Sequence, residues 1–152
     1  MSLNLLYQEV ILEHYKHPRN KVPLEGSIAL HENPSCGDSI RLKIEKNSSG
    51  KIFKVLFDGQ GCAISTASAS IMTELLVGKN ITEARALCFK AIAFLKGETK
   101  VSLEYDGSGF QEDTDPPQDL GELEALSGVH QFPLRVKCAT LPWNAALAIL
   151  QR

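Results

Sequence analysis

No apolar run in this chain of 152 residues approaches the roughly 18 residues that cross a bilayer. The stretch from Met1 to Leu6 also lacks the basic flank and small-residue cleavage site of a secretory leader. Both absences predict a cytoplasmic protein with no membrane partner. Charge of one sign is lacking too: 16 Lys and Arg stand against 18 Asp and Glu, a formal net charge of −2. That balance is too even for a general nucleic-acid binder. Cysteine is sparse, at four residues, which excludes a disulfide-dense small scaffold. In a reducing compartment those four read as metal ligands or reactive thiols rather than as two disulfides. Repeats and low-complexity tracts are missing, and 43% apolar with 22% charged residues excludes collagen-like and disordered chains. The length suits one domain over 1–152 with one core.

What is present is a series of short, punctuated elements. Leu3, Leu6, Tyr7, Val10, Ile11 and His14 recur at helical spacing, and Pro18 sets an end near His17, so the chain opens on an amphipathic helix. Ile40, Leu42 and Ile44 alternate with Arg41, Lys43 and Glu45; Asn47 to Gly50 then form a turn before Ile52 to Phe57. This predicts a β-hairpin, and the region Ser27 to His31 offers a third strand. A helix follows from close to Cys62 to Gly78. Asn80 with Glu83 three residues on reads as the capping box of the next helix, which carries Leu87, Cys88, Ile92 and Leu95 and closes at Gly97. A short helix is expected over Leu120 to Ser127 and a last one from Pro133 to Leu150. Within that last helix Pro142 removes the amide that would bond the carbonyl of Cys138, which predicts a kink or break just after that cysteine. The pattern as a whole is α+β, a small antiparallel sheet of about three strands packed against helices.

Charge is unevenly placed. From Glu98 to Glu124 there are nine acidic residues and one basic, so the 98–119 stretch, with Gly107, Gly109 and Pro116-Pro117, reads as an acidic insertion. It is a solvated face, or a surface that steers a basic partner. Three cysteines stand at element boundaries, in Asn33-Pro34-Ser35-Cys36-Gly37-Asp38, Gly59-Gln60-Gly61-Cys62 and Arg135-Val136-Lys137-Cys138. Cys36 and Asp38 are two apart, so an extended segment turns both to one side. Cys62 falls at a helix start, where free amides favour a thiolate, and Arg135 and Lys137 add positive charge beside Cys138. Three thiolates and one carboxylate are the four donors of a tetrahedral zinc site. Separations of 26 and 76 residues do not impose such a site, and three unrelated buried cysteines remain the alternative.

The same residues carry a resemblance. The stretch Tyr7 to Asn20, Asn33 to Asp38, Gly59 to Ser65, Ala67 to Ser70, and Arg135 to Leu141 resemble, in order and over nearly the whole chain, the motifs of the IscU/NifU-type iron–sulfur cluster assembly proteins, SufU branch. The resemblance implies the IscU/SufU-like fold and a metal site of Cys36, Asp38, Cys62 and Cys138. It also implies zinc as the ion, with iron or a [2Fe–2S] cluster as the alternative. Where IscU proteins carry a histidine before the third cysteine, this chain has Lys137, which cannot ligate while protonated. The 98–119 stretch is similar to the segment that SufU-type proteins add. Both departures imply a zinc-dependent sulfur acceptor, a sulfurtransferase taking persulfide sulfur onto Cys36 from a SufS-type, pyridoxal-phosphate-dependent cysteine desulfurase and serving other cluster assembly proteins. A [2Fe–2S] scaffold on the same ligands and a structural zinc module are the competing readings.

Other features carry less. Cys88 continues an apolar stripe and reads as packed. His14 and His17 are three apart with no third donor close in sequence, which favours core packing or partner contact over a metal. The segment His31 to Cys36 lacks the H-x-E and P-C-x-x-C of zinc deaminases, and Gly107-Ser108-Gly109 has no strand and helix around it to bind phosphate.

Overall fold

The computed structural model of the protein describes residues 2–35, 37–98 and 118–151, with side chains described from Tyr7 onward apart from those of 118 and 119. Helix α1 (Ser2–Lys16) leads into strands β1 (Leu30–Asn33), β2 (Asp38–Lys46) and β3 (Ile52–Gln60). Helices α2 (Ala63–Leu76) and α3 (Ile81–Leu95), a 3₁₀ segment (Gln118–Gln131) and helix α4 (Pro133–Leu150) complete the order. The strands form one antiparallel sheet in the order β1-β2-β3, and the expected α+β architecture stands. No helix among the described residues is long and apolar enough to cross a membrane.

The hairpin follows from its alternation. Ile40 and Leu42 on β2 and Val55 and Phe57 on β3 are buried, and a register shift between Glu45 and Lys46 re-phases the strands next to the turn. The turn is held by Asn47, whose Oδ1 accepts from the amides of Ser49 and Lys51, both at 3.0 Å. The third strand overlaps the end of the Ser27 to His31 region and runs over Leu30–Asn33. It is placed by pairing with β2, Leu30 opposite Arg41 and Asn33 opposite Asp38, which outweighs a weak local pattern. The segment 21–24 is tied along β3 by Asp58. Asp58 accepts from the amide of Leu24 at 3.0 Å and of Gly59 at 2.9 Å and faces Lys21 Nζ at 3.5 Å.

Burial opposes ionisation of Asp58, but the two backbone amides and Lys21 outweigh it and hold its carboxyl below the usual range. A depressed folded-state value stabilises the protein above the unfolded value and ceases to do so as pH falls through the folded one. Asp58→Asn is therefore expected to lower stability at neutral pH by about 1 kcal/mol. The gap should narrow on acidification below about pH 4, read by urea unfolding of both proteins across that range.

The helices close one core that draws on β2, β3, α2, α3, the 3₁₀ segment and α4. Helix α2 buries Ser65, Ser68, Ser70 and Thr73 among its apolar residues, and each hydroxyl has a partner, as burial of a polar group demands. Ser68 donates to the carbonyl of Ala139 at 2.6 Å and accepts from the indole of the fully buried Trp143 at 3.0 Å. Thr73 donates to the carbonyl of Ser70 at 2.8 Å and accepts from Asn20 at 2.9 Å. The predicted capping box is present, with Asn80 and Glu83 bonded reciprocally at 2.8 and 3.0 Å. Of the kink or break expected in the last helix, the break is absent: α4 runs from Pro133 through Pro142 to Leu150. Leu141, Pro142, Trp143, Ala145 and Ala146 are all buried around the proline, and this packing compensates the one lost helical bond. The helix expected over Leu120 to Ser127 is instead the longer 3₁₀ segment, which turns at Gly121 (φ 51°, ψ −131°), a conformation open chiefly to glycine. The acidic insertion lies outside the described residues except for its two ends.

Candidate metal centre

The hairpin sets the site. Antiparallel pairing of β2 with β3 places Ser39 opposite Gln60, so Asp38, which opens β2, and Cys62, just beyond the end of β3, arrive at the same end of the sheet. Two glycines permit the approach. At Gly59 (φ 142°) a Cβ would strike the carbonyl of Ser39, and at Gly61 one would strike the hydroxyl of Ser65. The spacing Gly59-Gln60-Gly61 thus has a steric cause on both sides.

Cys62 is the N-cap of α2. Its sulfur accepts from the amide of Ser65 at 3.5 Å and its own amide donates to Asp38 Oδ1 at 3.2 Å. Asp38 Oδ2 lies 3.6 Å from the sulfur. Cys138 comes from α4 and is fully buried, Asp38 is 5% exposed, and Cys62 is half-buried. One donor atom from each of Asp38, Cys62 and Cys138 lies within 4.8 Å of the others, a spread that a single ion can bridge. The sequence reading named all three. Cys36, the fourth residue of that reading, lies outside the described residues. Its flanks are held: the amides of Ser35 and Gly37 donate to Asn33 Oδ1 at 3.1 Å and to the Asn33 carbonyl at 2.9 Å. Gly37 (φ 77°) supplies the left-handed turn.

Lys137 reaches across from α4 to Ser35, Nζ to Oγ at 3.4 Å, so its charge stands beside the loop that carries Cys36. Arg135 is exposed on the first turn of α4 and makes no ion pair among the described residues. A cleft of about 490 Å³ opens between β1 and α4 next to this loop, lined by His31, Asn33, Pro34, Lys137, Thr140 and Asn144 among others. Cys88 takes no part: it is buried in the core, and burial pushes its thiol up to about 12, so it stays protonated and unreactive at neutral pH. The sequence reading passed over Ser65, although a residue three positions after a helix cap is where a capping partner belongs.

Comparison with known proteins turns this geometry into a family assignment. The family model of the NifU-like N-terminal domain matches residues 6–139. The chain belongs to the NifU-like family of iron–sulfur cluster assembly proteins. Within that family it is 43% identical over 145 residues, 95% of this chain and 88% of the relative, to the zinc-dependent sulfurtransferase SufU of Bacillus subtilis strain 168. It is 38% identical over 152 residues, 99% of this chain and 86% of the relative, to the iron–sulfur cluster assembly scaffold protein IscU of Streptococcus pyogenes serotype M1. A crystal structure of a proposed SUF-system assembly scaffold from Fervidobacterium islandicum AW-1 superposes with a TM-score of 0.70 at 31% identity, covering 96% of each chain. The NifU-like N-terminal structure from Brucella abortus shares the fold at 16% identity, with a TM-score of 0.70 over 99% of this chain and 96% of that one. The NifU-like fold expected from the motifs is therefore the fold observed.

Proposed function

We propose that this NifU-like protein is a zinc-dependent sulfurtransferase of the cytoplasm. In this reading it accepts persulfide sulfur onto Cys36 from a SufS-type cysteine desulfurase and delivers it to iron–sulfur cluster assembly. The observation that carries the reading is the convergence of Asp38, Cys62 and Cys138 within 4.8 Å from three segments remote in sequence. The donor set fits the ion: two sulfurs and a carboxylate oxygen, completed by the sulfur of Cys36, make three thiolates and one carboxylate, the number and kinds of donor that zinc takes. When bound, zinc would keep the cysteine sulfurs deprotonated at neutral pH.

The chain's own residues supply the rest. The Cys36 thiolate attacks the outer sulfur of the partner's cysteine persulfide. A sulfur–sulfur bond forms at Cys36 as the partner's breaks, the electron pair leaves on the partner's cysteine sulfur, and no net oxidation occurs. Lys137, bonded to Ser35, and Arg135 offset the excess negative charge of four anionic donors. Phe132 and Leu134, 57% and 56% exposed at the cap and first turn of α4 ahead of Cys138, offer the apolar contact through which a desulfurase docks.

The test is the turnover of a SufS-type desulfurase with zinc-loaded protein, with demetallated protein and with neither. Strong stimulation by the zinc-loaded form alone is expected. Absence of stimulation, together with colour and labile sulfide after incubation with iron and sulfide, would favour a [2Fe–2S] scaffold on the same ligands.

A further inference from the structure

A second set of donors lies away from the cysteines, where α1, α2 and the 3₁₀ segment meet. His14 is 1% exposed on α1, and one atom each of His14, Glu74 and Glu122 lies within 4.8 Å of the others. The sequence offers His14 no third donor because its neighbours in space are 60 and 108 residues away. The imidazole is fixed at both nitrogens: Nδ1 lies 2.7 Å from Ser70 Oγ and Nε2 lies 2.6 Å from Glu122 Oε1. Ser70 Oγ already accepts from the amide of Arg19 at 2.8 Å, and a hydroxyl has a second lone pair for an Nδ1–H.

In that tautomer Nε2 turns a lone pair toward the carboxylates; in the other, Nε2–H donates to Glu122 and the Ser70 hydroxyl donates to Nδ1. The separation of 2.6 Å is that of a hydrogen bond, and metal–donor distances of about 2.1 Å require the Glu122 carboxylate to swing aside, which its exposed position allows. A histidine oriented at Nδ1 by an oxygen acceptor, with Nε2 free to ligate, is the arrangement found behind metal-bound imidazoles. Glu74 and Glu122 are both exposed, and no lysine or arginine pairs with either among the described residues, so two carboxylates share the site with no cationic side chain to balance them.

We propose that His14 Nε2, Glu74 and Glu122 form a second metal site, distinct from the cysteine centre, for a divalent first-row ion that favours nitrogen and oxygen donors, such as Mn²⁺ or Fe²⁺. One imidazole and two carboxylates suit these ions better than they suit a thiophilic one, and the exposed side leaves room for water to complete the shell. The ion would take the place of the hydrogen between Nε2 and Glu122. The ion would join three elements, α1, α2 and the 3₁₀ segment, which the His14 hydrogen bonds and that from Tyr7 to Glu124 at 2.8 Å also link.

The test uses the full chain with the cysteine site first saturated with zinc, so that added Mn²⁺ has no thiolate site to enter. Mn²⁺ is titrated and the free ion followed by electron paramagnetic resonance, while the ring proton signals of His14 are followed by NMR. One Mn²⁺ bound per chain, selective broadening of His14, and affinity at least about tenfold weaker in Glu74→Gln are expected. Glu74 is exposed, so that variant keeps its fold. Equal affinity in wild type and Glu74→Gln, or no binding up to millimolar Mn²⁺, would overturn the site.

Discussion

Removal of zinc by a chelator is expected to lower the melting temperature by about 10 °C or more, read by calorimetry with and without metal restored. The ligands proposed for it come from the loop before β2 and its first residue, the cap of α2 and the second turn of α4, so the ion would link the sheet to two helices that pack on it. A site assembled from remote segments does not exist in the unfolded chain, and binding energy is then folding energy. Loss of about 4 kcal/mol in a chain of this length corresponds to a shift of roughly 8 to 16 °C. Asp38 is the ligand to vary: Asp38→Ala removes one donor and also the acceptor for the Cys62 amide, so it should weaken zinc binding and reproduce part of the chelator's effect. An unchanged melting temperature after complete removal of zinc would contradict the metal assignment.

Cys36→Ser is expected to separate metal binding from sulfur acceptance. Asp38, Cys62 and Cys138 remain in place in this variant, so zinc should still bind, more weakly. Persulfide labelling of the protein after incubation with desulfurase and cysteine should fall to background, a loss of about 100-fold or more, because serine is not ionised at neutral pH and is a far weaker nucleophile than a thiolate. Stimulation of the desulfurase should vanish with it. Cys88→Ala is the control: its buried thiol, pushed up to about 12, contributes no nucleophile, so labelling should be unaffected. Full acceptance by Cys36→Ser would move the sulfur-carrying role to another cysteine.

Local signals were legible in the sequence wherever the physics was local. The Asn80–Glu83 capping box, the Asn47 turn and the alternation of Ile40, Leu42 and Ile44 each depend on residues within a few positions, and each is found. Features settled by tertiary packing were not. Burial of Trp143 and its neighbours carries α4 through Pro142, pairing with Asp38 and Arg41 places β1, and Gly121 redirects the 3₁₀ segment. The candidate metal donors stand between these cases. Asp38, Cys62 and Cys138 could be named from motif resemblance, but separations of 24 and 76 residues show no periodicity that would bring them together. Of the neighbours of His14, Ser70 lies in a motif that gave it no partner, and Glu74 and Glu122 lie in none.

The N-cap of α2 has one more consequence. Because the Ser65 amide donates to the Cys62 sulfur, its proton senses the electron density on that atom directly. A thiol, a thiolate and a metal-bound sulfur draw on the amide to different degrees, so its chemical shift and its rate of solvent exchange should differ among the three states. One backbone resonance of Ser65 is thus an intrinsic probe of the cysteine centre, readable without a chromophore on the ion and without altering any residue of the site.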